Sequence, residues 1–108
     1  MPTTALVIED DDLMRVSLVA ALASADVEVV ASAKTSTEAL ELAHTLFPQV
    51  ALVDLHLGRG PTGVDVAHEL RKNDPRIGIV FLTSFEDPRL IAETKPLPQG
   101  SQYLLKKD

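Results

Sequence analysis

Apolar and polar positions along the chain fall into two alternating kinds of run. Ala5-Leu6-Val7-Ile8 is a short continuous apolar stretch that stops at the acidic string Glu9-Asp10-Asp11-Asp12. Behind it Leu13, Val16, Ala20 and Ala23 recur at helical spacing, so the pattern predicts a strand feeding a helix. Val27 to Ala31 is a second strand-like run, rich in β-branched residues. Thr35 followed three residues later by Glu38 is a capping-box signature, and Ala39, Leu40, Ala43 and Leu46 then share one helical face. Pro48 stops that helix, and Val50-Ala51-Leu52-Val53 is a third buried strand ending at Asp54.

Gly58-Arg59-Gly60-Pro61-Thr62-Gly63 is loop chemistry. Val66, Ala67 and Leu70 mark a third helix that closes near Asn73-Asp74-Pro75, and Ile77 to Leu82 is a fourth strand ending at Thr83 and Ser84. Asp87-Pro88 begins a short helix, with proline just inside its start, and Pro96 and Pro98 forbid its continuing far beyond Thr94. Tyr103-Leu104-Leu105 reads as a fifth strand, followed at once by Lys106 and Lys107. Strands alternating with helices predict βαβ units and a parallel sheet with right-handed crossovers. Strands that are apolar throughout suit a sheet covered on both faces. The expected fold is a doubly wound α/β domain.

Length and charge narrow this picture. At 108 residues the chain has room for one domain, assigned to residues 1–108. The absence of cysteine excludes a disulfide scaffold and thiol chemistry. A net charge of -6 argues against direct contact with nucleic acid, which needs a basic patch. No apolar run is long enough to span a bilayer, and Met1 does not open a signal peptide, so a cytoplasmic location without membrane contact is expected.

The informative residues lie where the strands stop. Open parallel sheets bind ligands outside the carboxyl ends of their strands, where the winding reverses. The first strand stops at Glu9 and Asp10, the third at Asp54, the fourth at Thr83 and the fifth at Lys106. If the first and third strands are neighbours, three carboxylates converge. Two carboxylates about 4 Å apart repel by roughly 4 kcal/mol at an effective dielectric near 20. A divalent cation relieves that repulsion, and an all-oxygen site with room for water suits Mg2+. The hydroxyl of Thr83 and the ammonium of Lys106 suit the oxygens of a phosphoryl group. Together these groups support phosphoryl transfer with a carboxylate as covalent acceptor.

Each group also has a plainer reading. Glu9 to Asp12 can serve as a helix N-terminus whose acids complement the dipole, and Asp11 and Asp12 keep that capping role. Threonine is common in strands, and Tyr103 can be an ordinary strand aromatic. His44, His56 and His68 lack ligand spacing; His44 and His68 fall on helix surfaces, and His56 borders the acidic residues.

Four segments in order, Leu6-Val7-Ile8-Glu9-Asp10-Asp11, Ala51-Leu52-Val53-Asp54-Leu55, Phe81-Leu82-Thr83-Ser84 and Tyr103-Leu104-Leu105-Lys106, resemble the receiver domain of two-component response regulators. The resemblance covers nearly the whole chain and is similar to the single-domain chemotaxis regulator. It implies a flavodoxin-like five-stranded parallel sheet in the order 2-1-3-4-5. It also implies Asp54 as phosphoacceptor and Mg2+ held by Glu9, Asp10, Asp54 and the backbone carbonyl of His56. Thr83 and Lys106 would contact the phosphoryl group, Thr83 and Tyr103 would form the switch, and His56 would tune phosphoryl lifetime. The implied partner is a sensor histidine kinase, and the implied output is transcription through a DNA-binding domain outside this chain.

The pattern departs from the family in two places. Lys107 stands where many members have proline. The family's last helix is also absent from these residues, which predicts exposed apolar surface over the first and fifth strands. A boundary imposed on the chain, a disordered tail beyond it, or a homodimer that buries the face would each account for this. Two other functions share parts of this pattern. One is a receiver-like interaction module that does not switch. The other is a Mg2+-dependent phosphohydrolase, which needs a second acid where His56 stands.

Overall fold

The computed structural model describes residues 3–55, 63–83, 100 and 102–105. In chain order the elements are β1 (Thr4–Ile8), α1 (Asp12–Ser24), β2 (Glu28–Ala33), α2 (Ser36–Leu46), β3 (Val50–Asp54), α3 (Gly63–Asn73), β4 (Gly78–Thr83) and β5 (Gln102–Leu105). All adjacent strand pairs are parallel, and the sheet order is β2-β1-β3-β4-β5. This is the order that the resemblance to receiver domains implies. The chain moves outward from β1 to β2, then back past β1 to β3 and on to β4. Right-handed crossovers therefore put α1 on one face of the sheet and α2 with α3 on the other.

The α2/α3 face holds the main core. Alternate strand residues Leu6, Ile8, Ala51, Val53, Ile79 and Phe81 pack there with Ala39, Ala43, Val64, Val66, Ala67 and Leu70 from the two helices. Thr35 caps α2 with its Oγ1, which accepts from the Glu38 N–H at 3.2 Å, while Glu38 Oε1 accepts from the Lys34 N–H at 2.9 Å. The helix stops at Leu46 because Phe47 adopts a left-handed conformation (φ 49°) immediately before Pro48. Leu46, which the sequence pattern assigns to the same face as Ala39 and Ala43, is exposed instead, because it is the last residue of the helix.

The sequence pattern misplaces the buried face of α1. Leu13, Val16, Ala20 and Ala23 are all exposed, Leu13 at 78% and Val16 at 64%. Met14, Arg15, Leu18, Val19 and Leu22 are half-buried instead. Both sets have helical spacing, because α1 is apolar around most of its circumference, and periodicity cannot choose between them. The helix start chooses. Asp11 caps the helix by accepting from the Met14 N–H at 2.9 Å, and Arg15 turns inward to the Glu9 carbonyl.

A second expectation is corrected with it. Apolar exposure was expected over the first strand, yet Ala5, Leu6, Val7 and Ile8 are all buried. β1 lies between β2 and β3, with α1 against one face and α2 against the other. Among the described residues the large exposed apolar side chains are Leu13 and Val16 on α1 and Leu46 and Phe47 at the end of α2. The side chains of Tyr103 to Leu105 and the short helix expected after Asp87-Pro88 lie outside the described residues.

This packing separates two kinds of leucine. Leu70→Ala should lower the free energy of unfolding by about 2–5 kcal/mol, since it empties a fully buried site. Leu13→Ser should change it by less than about 0.5 kcal/mol. Urea denaturation of the two variants beside wild type checks both.

Candidate functional site

The site is built by strand register. Ile8 pairs with Val53, so the residues that follow each of them, Glu9 and Asp54, emerge side by side at the carboxyl end of the sheet. Glu9 and Asp54 are both buried, whereas Asp10 is exposed. One carboxylate oxygen from each of Glu9, Asp10 and Asp54 lies within 4.8 Å of the other two. Three carboxylates at that spacing repel strongly in a partly desolvated setting. An all-oxygen donor set with one member open to solvent fits a hard divalent cation that retains water.

Local contacts hold each acid in place. The Glu9 N–H donates to the Ala33 carbonyl of β2 at 3.0 Å, and Glu9 Oε2 accepts from the Asp11 N–H at 3.2 Å. After Asp54 the chain stays tied to the sheet, because the Leu55 N–H donates to the Leu82 carbonyl at 2.9 Å. Asp12, one residue beyond the N-cap, is bonded by Arg15 and by Lys34 at 3.4 Å. The Arg15 hydrogen bond, and after it the Lys34 ammonium, hold the Asp12 carboxyl below its ordinary pKa. Asp11 and Asp12 thus keep the helix-start roles expected of them.

The remaining candidates are placed in part. Thr83 ends β4, one residue after Leu82, which pairs with Asp54, so its backbone lies at the same end of the sheet. Tyr103 lies on β5, paired with Phe81, two positions before Leu105, which pairs with Thr83. The side chains of Thr83 and Tyr103 are outside the described residues, as are His56 and Lys106 altogether. His44 on α2 is exposed and His68 on α3 is half-buried, and neither belongs to the acidic cluster.

The sequence reading missed three residues that shape this site. Arg15 and Lys34 form the contacts just described. Gly63, the first residue of α3, is the third. A Cβ there would collide with the Asp54 carbonyl oxygen and come within 2.9 Å of the Leu55 Cα. The start of α3 therefore rests directly on the peptide that carries Asp54. Arg15 was readable as a partner of Asp12 at i,i+3. The other two contacts depend on which elements the fold brings together. Gly63→Ala should cost about 1–3 kcal/mol because backbone atoms cannot give way. Gly78→Ala, whose nearest neighbour would be a Val50 methyl at 3.5 Å, should be close to neutral; thermal denaturation of both variants tests the contrast.

A family model described as the response regulator receiver domain matches residues 5–108. The chain is 34% identical over 86 residues to the response regulator protein VraR of Staphylococcus saprophyticus, covering 79% of this chain and 41% of that protein. It is 33% identical over 103 residues to the transcriptional regulatory protein LnrK of Bacillus subtilis, covering 94% of this chain and 46% of that one. The chain thus spans less than half the length of these relatives. Among solved structures, the signal receiver domain of a modulated diguanylate cyclase from Desulfovibrio desulfuricans superposes with a TM-score of 0.84 at 29% identity, over 98% of this chain and 82% of that one. The chemotaxis protein CheY4 of Vibrio cholerae, at 23% identity and a TM-score of 0.81 over 100% of this chain and 89% of that one, shares the fold. The breadth of the family match and relatives above 30% identity make this chain a receiver domain of a response regulator, a member of the response regulator receiver family.

Proposed function

We propose that this domain accepts a phosphoryl group on Asp54 from a sensor histidine kinase, with Mg2+ bound, and changes conformation in response. The observation that carries this reading is the approach of Glu9, Asp10 and Asp54 oxygens to within 4.8 Å at the switch point of the sheet. Glu9, Asp10 and Asp54, with the His56 carbonyl, would hold the cation. Bound there, Mg2+ supplies positive charge that offsets the carboxylates and the incoming phosphoryl oxygens.

The residues then divide the work. A carboxylate oxygen of Asp54 attacks phosphorus in line, the new O–P bond forms, and the P–N bond to the donor imidazole breaks with its electron pair leaving on nitrogen. Burial of Asp54 limits water at the acceptor. Lys106 pairs with phosphoryl oxygens, and the Thr83 hydroxyl approaches them once the acyl phosphate exists. Tyr103 follows the vacated space as the second half of the switch, and His56 modulates how long the acyl phosphate survives. The domain acts on itself and is not a turnover enzyme. The name of the relative LnrK includes transcriptional regulation, which supports an output through a DNA-binding domain outside these residues, in the cytoplasm. No helix among the described residues is long and apolar enough to cross a membrane.

Incubating the protein with a small-molecule phosphodonor and Mg2+ and measuring its intact mass tests the reading. Wild type should gain one phosphoryl group, and Asp54→Asn or wild type with chelator should gain none. A folded wild type that stays unmodified would identify a receiver-like interaction module in place of a phosphorylation switch.

A further inference from the structure

The backbone of Glu9, on both its N–H and its carbonyl side, belongs to a closed circuit of polar contacts. The Glu9 N–H donates to the Ala33 carbonyl at 3.0 Å, and the Glu9 carbonyl accepts from Arg15 Nη1 at 3.0 Å. Arg15 Nη2 bonds Asp12 Oδ1, and the same oxygen takes Lys34 Nζ at 3.4 Å. Lys34 follows Ala33 in the chain, which closes the circuit. Although Arg15 sits in the first turn of α1, only 12% of its side chain is exposed, against 71% for Asp12 and 59% for Lys34. The guanidinium is folded back beneath its own helix start, and its planar fork reaches a backbone carbonyl and a carboxylate at once.

We infer that Arg15, anchored by Asp12, is a positioning residue for the cation-binding pair Glu9 and Asp10. The inference rests on the proposed function, since it concerns how those two acids meet the cation. Arg15 acts through the backbone, bonding the Glu9 carbonyl and the Asp12 carboxylate. It fixes the Glu9 carbonyl, and so the direction in which the Glu9–Asp10 peptide presents both side chains. Partners that orient the ligands of a metal typically govern its affinity by 10- to 100-fold.

Charge alone predicts the opposite sign. Removing a cation beside three carboxylates lowers local positive potential and should tighten Mg2+ binding, whereas loss of positioning should weaken it. Lysine separates the two further, because it keeps the charge but lacks the fork that makes both bonds.

The test is calorimetric titration of MgCl2 into unphosphorylated wild type, Arg15→Lys, Arg15→Ala, Asp12→Ala, Lys34→Ala and the Asp12→Ala/Arg15→Ala double variant, with folding checked by circular dichroism. Arg15→Lys and Arg15→Ala should both weaken Mg2+ binding by about tenfold, and adding Asp12→Ala to Arg15→Ala should weaken it no further. Lys34→Ala should bind as wild type does or tighter. Raising Mg2+ should restore phosphorylation of Arg15→Lys by a small phosphodonor, the split expected when ligands are misplaced and still present. Wild-type or tighter binding by Arg15→Lys would overturn the inference and leave the proposed function standing. If Arg15→Ala fails to fold, Arg15→Lys alone decides. Failure of wild type to bind Mg2+ would overturn the proposed function and this inference with it.

Discussion

The repulsion among Glu9, Asp10 and Asp54 is the constraint around which this end of the molecule is organised. Two of the three carboxylates are buried, and all three have oxygens within 4.8 Å of one another. Like charges that close cost several kcal/mol at the dielectric of a protein surface. A sequence selected only for stability would place apolar or neutral side chains there. The fold instead keeps the acids together, and its local architecture is readable as the means of doing so.

Four devices contribute. Reversal of the winding after β2 puts β1 beside β3, which makes neighbours of two strand ends 45 residues apart in sequence. The backbone is held on both sides of the Glu9 Cα, by β2 through Ala33 and by α1 through Arg15. The Asp54 peptide is pinned by the start of α3, where Gly63 leaves no room for a side chain. The packed layer of α2 and α3 stiffens the strands beneath. Energy from that core, together with rigid backbone attachment, holds charges that would otherwise separate.

Much of this was legible in the sequence. Continuous apolar runs ending in acids located β1 and β3, and the alternation of strands with helices fixed the parallel, doubly wound class. The acids themselves were visible because a carboxylate directly after four apolar residues has few other uses. What escaped had a common cause. The rotation of α1 depends on one arginine folding back to a carbonyl, and a helix apolar on most sides gives periodicity nothing to select. Gly63 looked like one more loop glycine because its neighbour, the Asp54 carbonyl, comes from another part of the chain. Lys34 meets Asp12 only because β2 lies beside β1.

The measurement that bears most directly on the central claim is the thermal midpoint of wild type and Asp54→Asn, each with and without Mg2+. If the converging acids store repulsion that a cation relieves, Mg2+ raises the wild-type midpoint by ligand linkage. Asp54→Asn, with one charge removed, should then be more stable than wild type without metal and respond little when metal is added. Equal midpoints for the two proteins, unchanged by Mg2+, would contradict the account.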